Sequence, residues 1–155
     1  AEQAIQLGAV GPTLRGSGVA QDARQLGYAA FDELDFEPVT SPEGDSWARS
    51  KVRFMETLQS MDIVRQAISR LPDSELAAKV PGKPTGEVVC RVEQPRGELL
   101  YYLKGNGSKN MERVRIRTPT FANIPPLLAM LPGCELADVP VIVLSIDPCI
   151  SCTER

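Results

Sequence analysis

Residues 45–71, DSWARSKVRFMETLQSMDIVRQAISRL, carry the pattern that decides the first half of the fold. Ala48, Val52, Met55, Leu58, Met61, Val64, Ile68 and Leu71 recur every three or four places, the spacing of an apolar stripe along an α-helix. A turn at Ser41–Gly44 precedes the stripe, and Pro72 ends it by removing a backbone donor and clashing with the preceding turn. One long amphipathic helix is therefore predicted over residues 45–71. Upstream, Gly11-Pro12, Gly16 and Gly18 punctuate residues 1–40, which read as irregular with short helical stretches. Gly16-Ser17-Gly18 lacks the spacing and the lysine of a phosphate-binding loop.

Beyond Pro72 the pattern changes. Residues 72–86 form a linker rich in proline and glycine, followed by strand-like stretches at Glu87–Glu93, Leu99–Leu103 and Arg113–Arg117. Asn106-Gly107 marks a tight turn between the second and third, so a three-stranded antiparallel meander is predicted over residues 87–117. Phe121–Leu131 reads as a short helix, with Pro125 and Pro126 near its start. Leu136–Ile146 is apolar with a period that leaves helix and strand both open. The fold class is α+β. The organisation is a single segment, 1–155, with a helical part (1–72), a β-rich part (86–118) and a helical or irregular tail (119–155).

The composition suits a globular domain with a real core: 155 residues, 43% hydrophobic and 24% charged. The net charge of −3 gives no basic excess for a phosphate backbone, and Arg113, Arg115 and Arg117 form only a local cluster, so no nucleic-acid partner is expected. No apolar run approaches the roughly 20 residues that cross a bilayer, and the N-terminus lacks a signal-peptide layout. The chain has no histidine, which excludes a Ser-His-Asp triad, a Cys-His pair and a histidine-bearing zinc site. Cys90, Cys134, Cys149 and Cys152 are too sparse for a secreted disulfide scaffold, and a reducing, cytoplasmic compartment is expected.

The tail ends Asp147-Pro148-Cys149-Ile150-Ser151-Cys152-Thr153-Glu154-Arg155. Two cysteines separated by two residues can turn both sulfurs toward one point, and thiolates favour soft metals. Two sulfurs make only half of a four-coordinate site. By itself the pair fits metal binding, a thioredoxin-like redox couple or two incidental cysteines. Cys90 and Cys134 read as ordinary core residues.

Three separated segments resemble nickel–iron hydrogenase large subunits. Asp147-Pro148-Cys149-x-x-Cys152 is similar to that family's C-terminal metal motif, and Thr153-Glu154-Arg155 resembles the variant of the energy-converting, membrane-associated branch. Glu93-Gln94-Pro95-Arg96-Gly97 resembles its Pro-Arg-Gly segment. Arg117-Thr118-Pro119-Thr120-Phe121-Ala122-Asn123 is similar to the stretch beside its iron. Gly11-Pro12, Leu14-Arg15, Ser17-Gly18, Asp22, Arg24, Tyr28 and Gly44-Asp45 look like the complex I subunit related to these enzymes, which has lost the nickel ligands.

The resemblance implies a C-terminal segment of a longer catalytic subunit that oxidises dihydrogen or reduces protons. Its nickel–iron centre, with carbon monoxide and cyanide on the iron, would be held by four thiolates. Cys149 and Cys152 would be the metal ligands in this segment. Cys149 and Arg96 would be the catalytic residues, and Pro95, Pro119 and Thr120 would lie beside the cofactor. The family's first Cys-x-x-Cys has no counterpart upstream here. The implied partners are the remainder of the large subunit, a small iron–sulfur electron-transfer subunit, integral membrane ion-translocating subunits, and dihydrogen or protons. The implied location is peripheral, on the cytoplasmic side of the membrane. The competing expectations are a non-catalytic complex I-like scaffold of the NADH-quinone oxidoreductase type and a small thiol redox or zinc module.

Overall fold

Two short helices, α1 (Glu2–Gln6) and α2 (Pro12–Arg15), lead through two 3-10 turns to the long helix α3 (Ser46–Ser69) in a computed structural model describing residues 1–75 and 77–154. Asp45 starts α3 because its carboxylate accepts the free Ala48 N–H at 2.7 Å. The helix runs 24 residues and stops three positions before Pro72. Ala48 and Val52 are fully buried, on the part of α3 that meets α2 and the later helix α6 (Val139–Ser145). The later members of the apolar row face outward; Met61 is 50% exposed and Ile68 70%. The cause is the spacing. Val52, Met55, Leu58, Met61 and Val64 step by threes, and each step falls about 60° short of a full turn. The row therefore winds off the packed side.

The 3-10 turns, Ala23–Leu26 and Phe31–Glu33, fold residues 22–37 against α3. Tyr28, Phe31 and Phe36 meet edge to face, with centroids at 5.0 and 5.9 Å. Farther on, the Gln66 side chain accepts from Asp35 N–H and donates to Asp35 C=O, both at 2.8 Å. This short stretch thus covers one flank of the helix.

The sheet is the expected antiparallel meander with order β1-β2-β3: β1 (Thr85–Gln94), β2 (Gly97–Asn106) and β3 (Met111–Arg117). The first two strands are longer than their apolar cores suggest, because the ladder continues through Thr85↔Asn106 and Gln94↔Gly97. Asn106-Gly107 turns the chain as predicted; Ser108 N–H donates to the Asn106 side chain at 3.0 Å, and Gly107 has φ +79°.

The helix predicted over Phe121–Leu131 is two helices, α4 (Pro119–Ala122) and α5 (Ile124–Met130). The break is Asn123, fully buried. Its Oδ1 accepts Val10 N–H at 3.0 Å and its Nδ2 donates to Val10 C=O at 3.2 Å. Residues 136–146 resolve as a 3-10 turn and α6, with Pro140 in the first helical turn where its missing N–H costs nothing. A final turn of helix, α7 (Ile150–Thr153), carries the tail.

The Pro95-Arg96 turn between β1 and β2 sits directly on the loop that starts α2. A Cβ on Gly11 would lie 2.3 Å from Gly97 Cα, and one on Gly97 would lie 2.9 Å from Gly11 N. Both glycines also have positive φ, +64° and +127°. Gly97→Ala is therefore expected to cost about 2 kcal/mol or more through combined strain and displacement of the α2 loop. Urea unfolding with unchanged slope checks this; an unshifted midpoint would show that the contact is dispensable.

Candidate metal centre

Cys149 is the N-cap of α7, and its carbonyl accepts the N–H groups of Cys152 and Thr153 at 3.1 Å each. The cysteines stand one helical turn apart at the start of that helix. Two threonines from the α4 segment hold their backbones. Thr120, 1% exposed, accepts Cys149 N–H at 3.2 Å. The Thr118 hydroxyl donates to the Cys152 carbonyl while its oxygen caps α4 by accepting Phe121 N–H at 3.4 Å. Pro119 is buried at the first position of α4. Cys149 Sγ lies 3.1 Å from Ser151 Oγ. That hydrogen bond, those from the Cys152 backbone and side chain, and the positive charge of Arg96 lower the Cys149 pKa to about 7.

Arg96 reaches the same place from the β1–β2 turn. Its Nε donates to Asp147 C=O at 2.9 Å and stands 3.2 Å from Asp147 Oδ2; its Nη2 donates to Oδ1 at 3.3 Å. Asp147 holds φ +52°, an uncommon backbone for a residue with a side chain. This left-handed conformation lies immediately before Pro148-Cys149. The structure thus brings together Arg96, Pro119, Thr120, Cys149 and Cys152. Pro95 points elsewhere, to the rim of a cavity of about 510 Å³ shared with Arg15, Arg53, Glu56, Glu93 and Asp147.

Cys90 and Cys134 do not join the pair. Cys90 is exposed on β1, because the first seven residues of that strand are uncovered, so it is not the core residue expected; Cys134 is half-buried after α5. Among the described residues none of the four cysteines forms a disulfide, and no group of three or more Cys, Asp or Glu converges on a point. Arg155 lies outside the described residues.

A buried ionic cluster behind the Pro-Arg-Gly turn escaped the sequence reading. Arg15, 1% exposed, donates from Nε to Glu56 at 2.6 Å and from Nη1 to Glu93 at 2.8 Å, with Asp22 at 3.5 Å. Asp22 pairs with Arg24 at 2.6 Å, and Arg24 stacks on Phe36 at 4.8 Å. Glu93 also accepts Ala23 N–H at 3.1 Å, and its own N–H donates to Tyr28 Oη at 3.0 Å. Burial opposes Asp22 ionisation, but the Arg24 hydrogen bonds and the Arg15 charge prevail and hold its pKa below the usual carboxylate range. Burial pushes Glu93 up by more than Arg15 pulls it down. Arg15, Asp22, Arg24 and Glu93 stood out in the sequence only as family matches, and Glu56 carried no signal.

Known proteins share this arrangement of chain. The family described as the respiratory-chain NADH dehydrogenase 49 Kd subunit matches residues 1–83 and 75–155. The chain belongs to this family. It is 48% identical over 157 residues to the carbon monoxide-induced hydrogenase of Rhodospirillum rubrum, covering 100% of this chain and 44% of that protein. It is 40% identical to the membrane-bound hydrogenase subunit alpha of Pyrococcus furiosus (98% and 40% covered) and 41% identical to an NADH-quinone oxidoreductase subunit of Dehalococcoides mccartyi (94% and 41% covered). A chain of the archaeal membrane-bound sulfane sulfur reductase superposes with a TM-score of 0.88 at 34% identity, covering 97% of this chain and 43% of that one. This member of the 49 Kd family therefore spans about two fifths of the length of these relatives.

Three outcomes are expected. The thiolate of Cys149 predominates above about pH 7. Its alkylation rate, followed by peptide mass spectrometry, should rise through that pH and then level, and Ser151→Ala should move the midpoint upward; a midpoint in the ordinary thiol range would contradict this environment. Arg15→Met, which strands two carboxylates, should cost about 3–5 kcal/mol in urea unfolding. On the acid side, Asp22 contributes stability above its unfolded pKa and loses it as pH falls through its lower folded value, so Asp22→Asn should flatten that loss.

Proposed function

We propose that the chain is the C-terminal segment of the catalytic large subunit of a membrane-associated, energy-converting nickel–iron hydrogenase, and that Cys149 and Cys152 supply two of the thiolates to its nickel–iron centre. The observation that carries this reading is the convergence of Arg96 on Asp147, two residues ahead of a cysteine whose pKa is lowered to about 7. The donor set fits the group. Two sulfurs stand one turn apart, one of them readily deprotonated, and soft thiolates suit nickel and iron. The bound metals would supply an electron-pair acceptor for heterolytic cleavage of dihydrogen, with carbon monoxide and cyanide on the iron.

The roles of the chain's own residues follow. Cys149 Sγ, as a thiolate at the reacting site, would take and return a proton. Arg96, pinned by Asp147 on one side, places fixed positive charge beside the reacting site. Thr120 accepts Cys149 N–H and still has its hydroxyl hydrogen to donate, which suits a cyanide nitrogen. Pro119 fixes the position of that threonine, and Pro95 fixes the turn that presents Arg96. The remaining thiolates would come from the remainder of the large subunit. Electrons would leave through a small iron–sulfur subunit toward integral membrane ion-translocating subunits. No helix among the described residues is long and apolar enough to cross a membrane. Attachment through those partners accords with relatives named as membrane-bound, and the cytoplasmic side is the location this reading assigns.

The second reading, a complex I-like scaffold without metal, is favoured by the 41% identity to an NADH-quinone oxidoreductase subunit. A small redox or zinc module fits poorly with a likeness that extends over 97% of the chain to a respiratory complex. Metal analysis of the assembled complex separates the two main readings. Stoichiometric nickel is expected, lost in both Cys149→Ser and Cys152→Ser together with hydrogen turnover. Arg96→Lys should keep the nickel and lower turnover by about a hundredfold. Quinone reductase activity with no nickel in the unmodified complex would establish the scaffold instead.

A further inference from the structure

We propose that Cys149 and Cys152 close into a disulfide when the chain carries no metal, by exchange with a small-molecule disulfide, and that the pair is thereby a redox-controlled cover on its own donor atoms. The sulfurs are already in contact: the Cys152 side chain hydrogen-bonds Cys149 Sγ, and neither cysteine is in a disulfide. The backbone sets this spacing. Cys149 caps α7, and its carbonyl accepts Cys152 N–H at 3.1 Å. A carbonyl that accepts from the third residue on closes a turn with its end Cα atoms less than about 7 Å apart, and a disulfide spans roughly 4.4–6.8 Å. Thr120 and Thr118 hold the two backbones from outside that turn. Little closure entropy is therefore left to oppose the bond.

The contact between Cys149 Sγ and Ser151 Oγ is exposed, so a dissolved disulfide can reach the sulfur, and giving up that contact is the main local cost of closure. Cys90, exposed on β1, and Cys134, after α5, lie apart from the pair and from each other, which leaves them only mixed or intermolecular disulfides. The exchange balances in two steps. One cysteine thiolate attacks a sulfur of the small disulfide, forming a mixed disulfide and releasing a thiolate that takes up the cysteine's proton. The second cysteine attacks the protein sulfur of that mixed disulfide, closes the ring and releases the other thiol with the second proton. The protein gives up two electrons and two protons, and the small disulfide gains both. Metals bind the deprotonated thiol, so the closed form cannot hold nickel or iron, and a reductant must open it before loading. That consequence rests on the metal reading above; the ring closure does not.

The test equilibrates the purified, chelator-treated 155-residue chain in buffers of oxidised and reduced glutathione, traps free thiols with N-ethylmaleimide and digests with Asp-N protease, whose cut before Asp147 puts both cysteines on one short peptide. That peptide should lose two hydrogens and gain neither glutathione nor maleimide, while Cys90 and Cys134 take up one or the other. Cys149→Ser and Cys152→Ser should each leave a lasting glutathione adduct on the remaining sulfur, because no neighbour displaces it. The exchange equilibrium constant should be roughly tenfold or more larger for the folded chain than for the chain in urea, and Thr118→Val should lower it by about fivefold, the net effect of one hydrogen bond. Three results would overturn the proposal: a doubly labelled 147–155 peptide at glutathione ratios where the single variants carry the adduct, an equilibrium constant unchanged by urea, or dimers linked through these two cysteines. All of these readouts are thiol chemistry. A chain that closes the ring while its assembled complex holds no nickel contradicts only the metal reading, and a nickel-bearing complex whose metal-free chain stays a dithiol contradicts only this one.

Discussion

The fold of this chain hangs on a guanidinium sealed away from water. Arg15 leaves the end of α2, and its charge is divided among Glu56 from the middle of α3, Glu93 from the end of β1 and Asp22 from the following loop. An arginine at that depth is tolerable only when its donors are met by charged acceptors, so the three segments have little freedom to shift independently. Hydrophobic contact alone would not fix them. The buried apolar set is mostly small residues, such as Ala9, Ala23, Ala48 and Ala122, with few large side chains among them.

That constraint propagates directly to the candidate site. Glu93 lies two residues before Pro95, so anchoring its carboxylate to Arg15 and its N–H to Tyr28 sets where the β1–β2 turn stands. The contact of Gly97 with Gly11 sets the height of that turn over the α2 loop. Arg96 then has only to extend its side chain to meet Asp147. From the other side, Thr118 and Thr120 hold the backbone of both cysteines, and the left-handed Asp147 turns its carbonyl and carboxylate together toward the arginine. The site is thus positioned by hydrogen bonds to backbone, which fix orientation more tightly than apolar packing does.

The open surfaces have the same origin. A 24-residue helix buries only its first half, and much of β1 is uncovered. Both facts accord with a chain that spans about two fifths of the length of its relatives. The similarity to both hydrogenase and NADH-quinone oxidoreductase subunits shows that one scaffold serves both groups.

The sequence by itself determined what depends on neighbours along the chain. Period and capping residues mark α3, alternating strands with Asn106-Gly107 mark the meander, and the Cys-x-x-Cys spacing marks two sulfurs able to turn toward one point. It left Leu136–Ile146 open between helix and strand, because a short apolar run has the same local signal in both. Only the tertiary structure decided which charges meet. Arg15 and Glu93 are 78 residues apart, Asn123 and Val10 are 113 apart, and Arg96 and Asp147 are 51 apart. Glu56 shows the reason most clearly. On a helix surface a glutamate is ordinarily solvated, and nothing within a few residues reveals that a buried cation from a distant segment will claim it. Local periodicity records the conformation of each stretch, whereas the energy of an ion pair depends on separation in space and on the exclusion of water, and both exist only once the chain has folded.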